Sequence, residues 1–263
     1  MIWIEFALTG VVAGFLAGYL GIGGGLVLVP VLTWLLSRDP ATASHATHMA
    51  VATSLSTMLL TSLSSILAHH RRGAVSWPLT RQLAPGLLVG ALCGALVADQ
   101  LSSATLAAVF GVFALVVGLH MLLGRKPDVH GQPADGTRNT LAGVIFGAIS
   151  SIVGIGGGSL TAPWFMWHGT RPQQAIATAA ACGYPIAVMG SLSYAWLGRD
   201  TIAIPWSLGY VYLPAFLGIS AFTVLAAPLG AAAVHRTPPG RVRQLFGIFL
   251  VLMALRMIGN WLS

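Results

Sequence analysis

Two copies of the pentapeptide Gly-Ile-Gly-Gly-Gly, at 21–25 and 154–158, constrain this chain most, because each copy interrupts a long apolar stretch. Each glycine in a helix interior costs roughly 1 kcal/mol relative to alanine, so four glycines in five residues favour a break. A helix break in hydrocarbon is tolerated only where protein or a watery cavity satisfies the exposed backbone groups. Repeated breaks at corresponding places in two halves of a chain therefore indicate a ligand site within a membrane.

The composition supports a membrane environment. Of the 263 residues, 56% are hydrophobic and only 7% are charged, whereas a soluble domain has about 25% charged residues. The formal net charge of +7 would suggest a nucleic-acid partner for a soluble protein. Here the basic residues fall in short loops between apolar runs, which is the pattern of topology signals in a membrane protein. We therefore expect membrane lipid, and no nucleic acid, as a partner of this chain.

The glycine motifs belong to a longer internal repeat. At an offset of 133, the segment 10–14 matches 143–147, and Pro30 matches Pro163. A weaker match at an offset of 125 relates Ala50-Val-Ala-Thr53 to Ala175-Ile-Ala-Thr178. The repeat predicts a first transmembrane repeat at 1–123, a cytoplasmic linker at 124–138 and a second transmembrane repeat at 139–263.

The first apolar stretch, at about 3–37, is too long for one span. As a straight helix it would measure roughly 52 Å, whereas the hydrocarbon core of a bilayer is about 30 Å thick. The glycine break divides it into about 3–21 and 25–37. The remaining apolar stretches predict further helices at about 42–68, 77–98, 102–123, 158–167, 174–197, 205–231 and 241–262.

The distribution of basic residues decides between two topologies. If each broken stretch crosses the membrane once, the loop residues divide 7 against 5 between the two sides. If each is a hairpin, one side has 10 and the other keeps only Arg38 and Arg199, which agrees better with the positive-inside rule. We therefore predict an all-α polytopic membrane protein of two inverted repeats. Each is a glycine-broken helical hairpin followed by three transmembrane helices, and both termini are periplasmic.

Each glycine motif opens a new half-helix. A helix N-terminus carries free N–H groups and about half a positive charge, which suits an anion. Two inverted hairpins would aim two such ends at one point, where neighbouring hydroxyl groups add donors. The predicted substrate-binding residues are Gly23, Gly24, Gly25, Gly156, Gly157, Gly158, Ser159, Thr53, Ser54, Ser56, Thr57 and Thr178. The alternative is that the glycines only permit close helix packing.

Three other polar residues are candidates for coupling or for neutralising an anion. His45 and His48 lie near the start of a predicted helix, and histidine titrates near neutral pH; interfacial packing is the alternative. Arg256 lies within the last apolar stretch, and extension of its side chain to the membrane surface is the alternative. The sequence contains no HExxH, no GxSxG and no Cys/His metal pair. We therefore expect no enzyme activity, no metal and no cofactor.

The motifs as a whole resemble the sulfite exporter TauE/SafE family, also called the toluene sulfonate uptake permease family. The resemblance rests on 14–25 followed by Pro30, on 61–65 followed by 69–75, and on the second glycine motif followed by Pro163. It implies a secondary transporter of sulfite, sulfoacetate or other organosulfonates in the bacterial inner membrane. One departure is that Thr178-Ala179 stands opposite Thr53-Ser54, so the two sides of a site need not be equivalent.

Other functions are compatible with the same motifs. A passive anion channel or a carrier for a non-sulfur anion would have the same glycine motifs, and a membrane-embedded enzyme or receptor subunit is a third class. Coupling to H⁺ or Na⁺ is expected for a secondary transporter, but the residues do not select the ion. Export or import, and the oligomeric state with a homodimer as one alternative, are likewise not determined.

Overall fold

The architecture comes from a computed structural model, which describes residues 2–20, 24–123, 135–201, 204–233 and 239–262. Gly23 and most of the predicted linker, 124–134, lie outside the described residues. The helices are α1 (Ile2–Leu20), α2 (Gly25–Leu36), α3 (Ala46–Arg71), α4 (Trp77–Asp99), α5 (Ser103–Leu123), α6 (Gly136–Val153), α7 (Gly158–Trp167), α8 (Pro172–Leu197), α9 (Leu213–Ala233) and α10 (Pro239–Leu262). One two-stranded antiparallel sheet, β1 (Ser207–Leu208) and β2 (Val211–Tyr212), precedes α9.

Four of the described helical segments are long and apolar enough to cross a membrane. They are α3 with the turn before it, α4, α5 and α8, and shorter apolar segments lie in α1, α2, α9 and α10. The prediction of a helical membrane protein with several spans is therefore confirmed at this level.

Helices α2 and α7 each return toward the start of the helix before them. A guanidinium nitrogen of Arg38, just after α2, lies 4.0 Å from a carboxylate oxygen of Glu5 in the first turn of α1. In the second half, the Trp164 indole of α7 donates a 3.0 Å hydrogen bond to the Asn139 side chain near the start of α6. The returning arms α2 and α7 have 12 and 10 residues. At 1.5 Å per residue they measure about 18 and 15 Å, too short to cross a bilayer core of about 30 Å.

Each hairpin packs with its first arm on the other half and with its second arm, α2 or α7, on its own half. Helix α1 packs along α9 of the second half, and α6 packs along α4 of the first half. A Cβ at Gly10 or Gly14 would lie 2.7 or 2.6 Å from a carbonyl oxygen of α9, and one at Gly143 would lie 2.6 Å from the Leu83 carbonyl oxygen of α4. Glycine is needed here because the backbones touch. Further contacts join α5 with α10, α8 with α3 and α4, and α2 with α3.

Helix α3 runs through the centre of this arrangement. All thirteen residues from Ala46 to Met58 are buried, whereas every residue from 59 to 71 is at least partly exposed. We call the end of the bundle with Arg71 the Arg71 end. The opposite end carries Asp99 and Tyr210, and we call it the Tyr210 end.

The segment 205–212 is not helical, although its apolar character predicts that the helix begins at about 205. Pro205 lacks a backbone N–H, and Trp206 and Gly209 have φ values of 65° and 55°, which a right-handed helix excludes. The chain instead forms the β1–β2 hairpin, with Ser207 opposite Tyr212 and Leu208 opposite Val211. Helix α9 therefore begins at Leu213.

Candidate functional site

The two glycine motifs touch each other in the interior. A Cβ placed on Gly25, the first residue of α2, would overlap the Gly154 carbonyl oxygen and lie 2.9 Å from Ile155 Cα. Gly24 precedes it, and its carbonyl accepts hydrogen bonds of 3.0 Å from the N–H groups of Val27 and Leu28. The start of α2 therefore lies directly against the turn between α6 and α7.

The turn between α6 and α7 depends on the backbone conformation of Gly154. Gly154 has φ +71°, a left-handed conformation that glycine adopts without strain, and Gly157 precedes the first residue of α7. The Gly157 carbonyl accepts bonds from the Thr161 N–H at 2.7 Å and the Thr161 hydroxyl at 2.8 Å. Gly156, Gly158 and Ser159 are partly exposed, so this turn is open on one side.

Ser159 lies in the first turn of α7. Its hydroxyl oxygen is buried and has no hydrogen-bond partner among the described residues. A buried hydroxyl normally finds a partner, so its position beside the unpaired N–H groups of a helix start is a place where a ligand would satisfy it.

Met58 of α3 lies against both motifs, and Ser54 lies against the second. The Ser54 hydroxyl donates a 2.8 Å hydrogen bond to the Gly154 carbonyl. The Met58 sulfur lies 3.6 Å from the position of a Cβ on Gly156, and the Met58 methyl lies 2.6 Å from that of a Cβ on Gly25. Met58 is not among the site residues predicted from the sequence. Its spacing of four residues from Ser54 puts the two on one helix face, and that periodicity is the signal that could have found it.

Thr53 and Thr178 make equivalent hydrogen bonds, each with the residue before a helix of the other half. Thr53 Oγ1 accepts a 3.0 Å hydrogen bond from the backbone N–H of Tyr212, the residue before α9. Thr178 Oγ1 accepts a 3.0 Å bond from the backbone N–H of Ser76, the residue before α4. Each hydroxyl therefore holds the entry to a helix that packs against the other half's hairpin, a role that sequence reasoning missed.

Ser56 and Thr57 bond to their own helix. The Ser56 hydroxyl donates to the Ala52 carbonyl at 2.9 Å, and the Thr57 hydroxyl donates to the Ser54 carbonyl at 2.7 Å. Such bonds are a common way for serine and threonine to satisfy a hydroxyl inside a helix. Two of the hydroxyl-bearing candidates therefore lie at the glycine motifs. The Ser159 hydroxyl has no hydrogen-bond partner among the described residues, and the Ser54 hydroxyl joins α3 to Gly154.

His45 and His48 lie at the Tyr210 end, about two turns from Ser54. The His48 ring stacks on Tyr210 with centroids 5.1 Å apart, and its Nε2 donates to the Ala98 carbonyl at 3.0 Å. His48 Nδ1 is buried and has no partner in the described part of the chain. The Tyr210 hydroxyl donates to Asp99 at 3.0 Å, so the cluster joins the first half to the loop before α9.

Burial sets the protonation of Tyr210. Desolvation disfavours the phenolate, and the adjacent Asp99 carboxylate adds to the effect, so the pKa of Tyr210 is raised to about 12. The hydroxyl therefore stays a donor to Asp99 throughout the physiological range.

Arg256 is not brought together with the glycine motifs. It is exposed, and its guanidinium carbon lies 5.6 Å from the ring centroid of Trp34. Arg38 lies over the same ring at 3.4 Å. These are cation–π contacts at the side of the bundle.

Negative charge is kept away from the glycine motifs in the described part of the chain. Its five acidic residues lie at helix ends or in loops: Glu5, Asp39, Asp99, Asp135 and Asp200. The described residues include no group of three or more His, Cys, Asp and Glu side chains placed to hold a metal ion.

Comparisons with known proteins find one matching family and several relatives. The model of the family described as "Sulfite exporter TauE/SafE" matches residues 6–257. A "Probable membrane transporter protein" of Haemophilus influenzae is 34% identical over 252 residues, which cover 95% of this chain and 96% of that protein. One from Methanocaldococcus jannaschii is 26% identical over 95% of this chain and 93% of that protein. The probable membrane transporter protein YunE of Bacillus subtilis is 25% identical and covers 98% of both chains. No solved structure matches.

Fold and sequence together define a helical membrane protein with several apolar helices. The chain belongs to the sulfite exporter TauE/SafE family, as the match over nearly its whole length shows. The resemblance found in the motifs is thereby confirmed.

Proposed function

We propose that the protein is a secondary transporter that moves sulfite, sulfoacetate or another small organosulfonate across the bacterial inner membrane by alternating access. The observation that carries the proposal is the contact of Gly25 with Gly154 and Ile155. It brings the start of α2 to the turn from which α7 begins. Each helix start has unpaired N–H groups and a partial positive charge, so an anion between them would be stabilised from two sides.

The surroundings of the two helix starts favour an anion over a cation. The Ser159 hydroxyl is available as a further donor, and the described carboxylates all lie at helix ends or in loops. A tetrahedral or pyramidal oxyanion such as a sulfonate or sulfite offers three oxygen acceptors for such donors. The choice of sulfur chemistry itself rests on family membership.

The cross-packing of the halves supports two inverted repeats. The first arm of each hairpin packs on the other half, α1 on α9 and α6 on α4. Thr53 and Thr178 repeat this exchange in single hydrogen bonds. A two-fold relation of this kind lets the halves exchange conformations around a central site, as in other transporters built from inverted repeats. The Arg71 end is cytoplasmic in this proposal, by the positive-inside rule.

His48 is the proposed coupling residue. Because Nε2 carries the proton given to Ala98, a second proton would bind at Nδ1, which has no partner in the described part of the chain. Coupling to H⁺ would then act on a cluster that joins the two halves through Tyr210 and Asp99.

Flux into proteoliposomes tests the proposed transport. We expect saturable uptake of sulfite or sulfoacetate, counterflow against unlabelled substrate, and no competition by acetate or succinate. Unsaturable flux with unitary currents would instead identify an anion channel, and competition by carboxylates would identify a carrier for another anion. A pH gradient that drives accumulation in wild type but not in a His48→Gln variant would support H⁺ coupling. Equal accumulation in both would remove His48 from that role.

A further inference from the structure

The second half of α3 carries a polar stripe that starts at the glycine motifs. At about 100° per residue, Met58, Thr61, Ser62, Ser65 and His69 fall within an arc of about 100°. We call Thr61, Ser62, Ser65 and His69 the α3 polar stripe. Met58, which contacts both glycine motifs, lies at the centre of the same arc, so the stripe leads from the motifs toward the Arg71 end.

The opposite face of the same helix segment is apolar. Leu60, Leu63 and Leu67 fall within an arc of about 60° centred opposite the stripe, and they are 44%, 44% and 49% exposed. Such a face suits lipid. The residues of the polar stripe are also partly exposed, so this part of α3 is uncovered on both faces. The Thr61 and Ser62 hydroxyls donate to the Thr57 and Met58 carbonyls of their own helix, whereas Ser65 and His69 carry polar atoms that water suits better than lipid.

The corresponding segment of α8 is closed. The offset of 125 that relates Thr53 to Thr178 also relates the four stripe residues to Ile186, Ala187, Gly190 and Tyr194. All four are buried. A Cβ on Gly157 would lie 2.7 Å from Ile186, and the Tyr194 hydroxyl donates to the Ser151 carbonyl at 3.1 Å. Equivalent positions of the two halves are therefore open toward the Arg71 end and closed toward the Tyr210 end.

The closed side has a second layer. Tyr194 meets the Tyr210 ring edge-on at 6.2 Å, and Tyr210 in turn stacks on His48 and bonds to Asp99. Toward the Arg71 end, by contrast, the stripe ends among His70, Arg71 and Arg72. A cluster of basic residues at this end of the stripe raises the local concentration of anions.

We propose that the α3 polar stripe lines a water-filled vestibule that connects the glycine motifs to the Arg71 end, and that this structure is the conformation open to that end. The inference rests on the proposed function, in which the vestibule is one half of the anion's path. Alternating access would then cover the stripe and expose its α8 counterparts.

Cysteine accessibility tests the vestibule. The native thiols are removed first by Cys93→Ala and Cys182→Ala, since Cys93 is exposed and Cys182 buried. Thr61→Cys and Ser65→Cys report the stripe, and Leu63→Cys and Leu67→Cys are matched controls on the lipid face of the same turns. The probe is the charged, membrane-impermeant reagent 2-sulfonatoethyl methanethiosulfonate, added to sealed vesicles of each orientation.

We expect T61C and S65C to react at least tenfold faster than L63C and L67C, and faster when the reagent reaches the Arg71 end. Ile186→Cys and Gly190→Cys should react slowly from both sides. Equal rates at stripe and lipid-face positions, or faster reaction at 186 and 190, would overturn the vestibule. Labelling needs no substrate, so it tests the vestibule independently of transport. If the expected labelling pattern is found but the protein moves no anion, the proposed function is overturned and the vestibule is not.

Discussion

The Ser54 hydroxyl donates a 2.8 Å hydrogen bond to the carbonyl of Gly154, one hundred positions further along the chain. The bond fixes α3 of the first half to the turn between α6 and α7 of the second. Because Gly25 lies against the same turn, this one carbonyl sits where α2, α3 and the second glycine motif converge. The geometry of the candidate site therefore depends on a small number of backbone contacts.

Ser54→Ala should destabilise the protein. The change removes the donor and leaves the Gly154 carbonyl without that partner in a buried place, which costs about 1–3 kcal/mol. We expect a lower Tm and slower anion uptake. Ser56→Ala is the matched control, since the Ser56 hydroxyl bonds to Ala52 within the same helix, and it should keep the wild-type Tm. Identical Tm values for the two variants would show that the Ser54 bond does not hold the turn.

Gly25→Ala should separate the two glycine motifs. Its Cβ would overlap the Gly154 carbonyl oxygen, and such overpacking costs about 1–3 kcal/mol. We expect the affinity for the transported anion, measured by thermal-shift titration, to fall at least tenfold. Gly24→Ala is the neighbouring control because its Cβ would lie 3.6 Å from Ala13, an ordinary contact, and its φ is −69°. Full anion affinity in the Gly25→Ala variant would contradict binding at the paired helix starts.

Thr53→Val and Thr178→Val should have similar effects, because each threonine accepts a backbone N–H at the entry to a helix of the opposite half. Either change leaves that N–H without its partner at a cost of about 1–3 kcal/mol. Thermal unfolding in one detergent measures both. Thr57→Val is the control, since its hydroxyl bonds within α3, and little change is expected. A large effect in one half and none in the other would argue against an equivalent role for the two threonines.

The glycine spacing was the most informative part of the sequence for the fold. The matches of Gly10 and Gly14 with Gly143 and Gly147 correspond to two close helix contacts, α1 with α9 and α6 with α4. A glycine pattern predicts such contacts because only glycine permits backbones to touch. The pattern does not name the partner helix, so the packing of α1 and α6 on the other half became visible only in the structure.

The candidate site was less predictable than the fold, for a physical reason. A hydroxyl in a membrane helix looks like a ligand donor in the sequence, but Thr53 and Thr178 are acceptors for backbone groups 159 and 102 positions away. The sequence cannot reveal such distant partners. Met58 was missed because it is apolar, although its contacts with both glycine motifs place it at the centre of the site.

Tyr210→Phe should lower the Tm by an amount that depends on pH. The variant loses the hydrogen bond to Asp99, a contribution of about 1 kcal/mol at this partly buried position. The pKa of Tyr210 is raised to about 12 by burial and by Asp99, above the ordinary value of about 10 in an unfolded chain. Since the folded state holds this proton more tightly, the stabilisation is fully present below pH 10 and is lost as the pH rises toward 12.

Thermal unfolding of wild type and the Tyr210→Phe variant between pH 7 and pH 12 measures this difference. We expect the Tm difference to be constant up to about pH 10 and to shrink above it. Asp99→Asn keeps an oxygen acceptor but removes the charge that disfavours the phenolate, so in that background the loss should still begin near pH 10 but be smaller and complete at a lower pH. A Tm difference that persists unchanged to pH 12 would exclude Tyr210 ionisation as its cause. In that case the stacking of Tyr210 on His48 would be the interaction that holds this loop to α3.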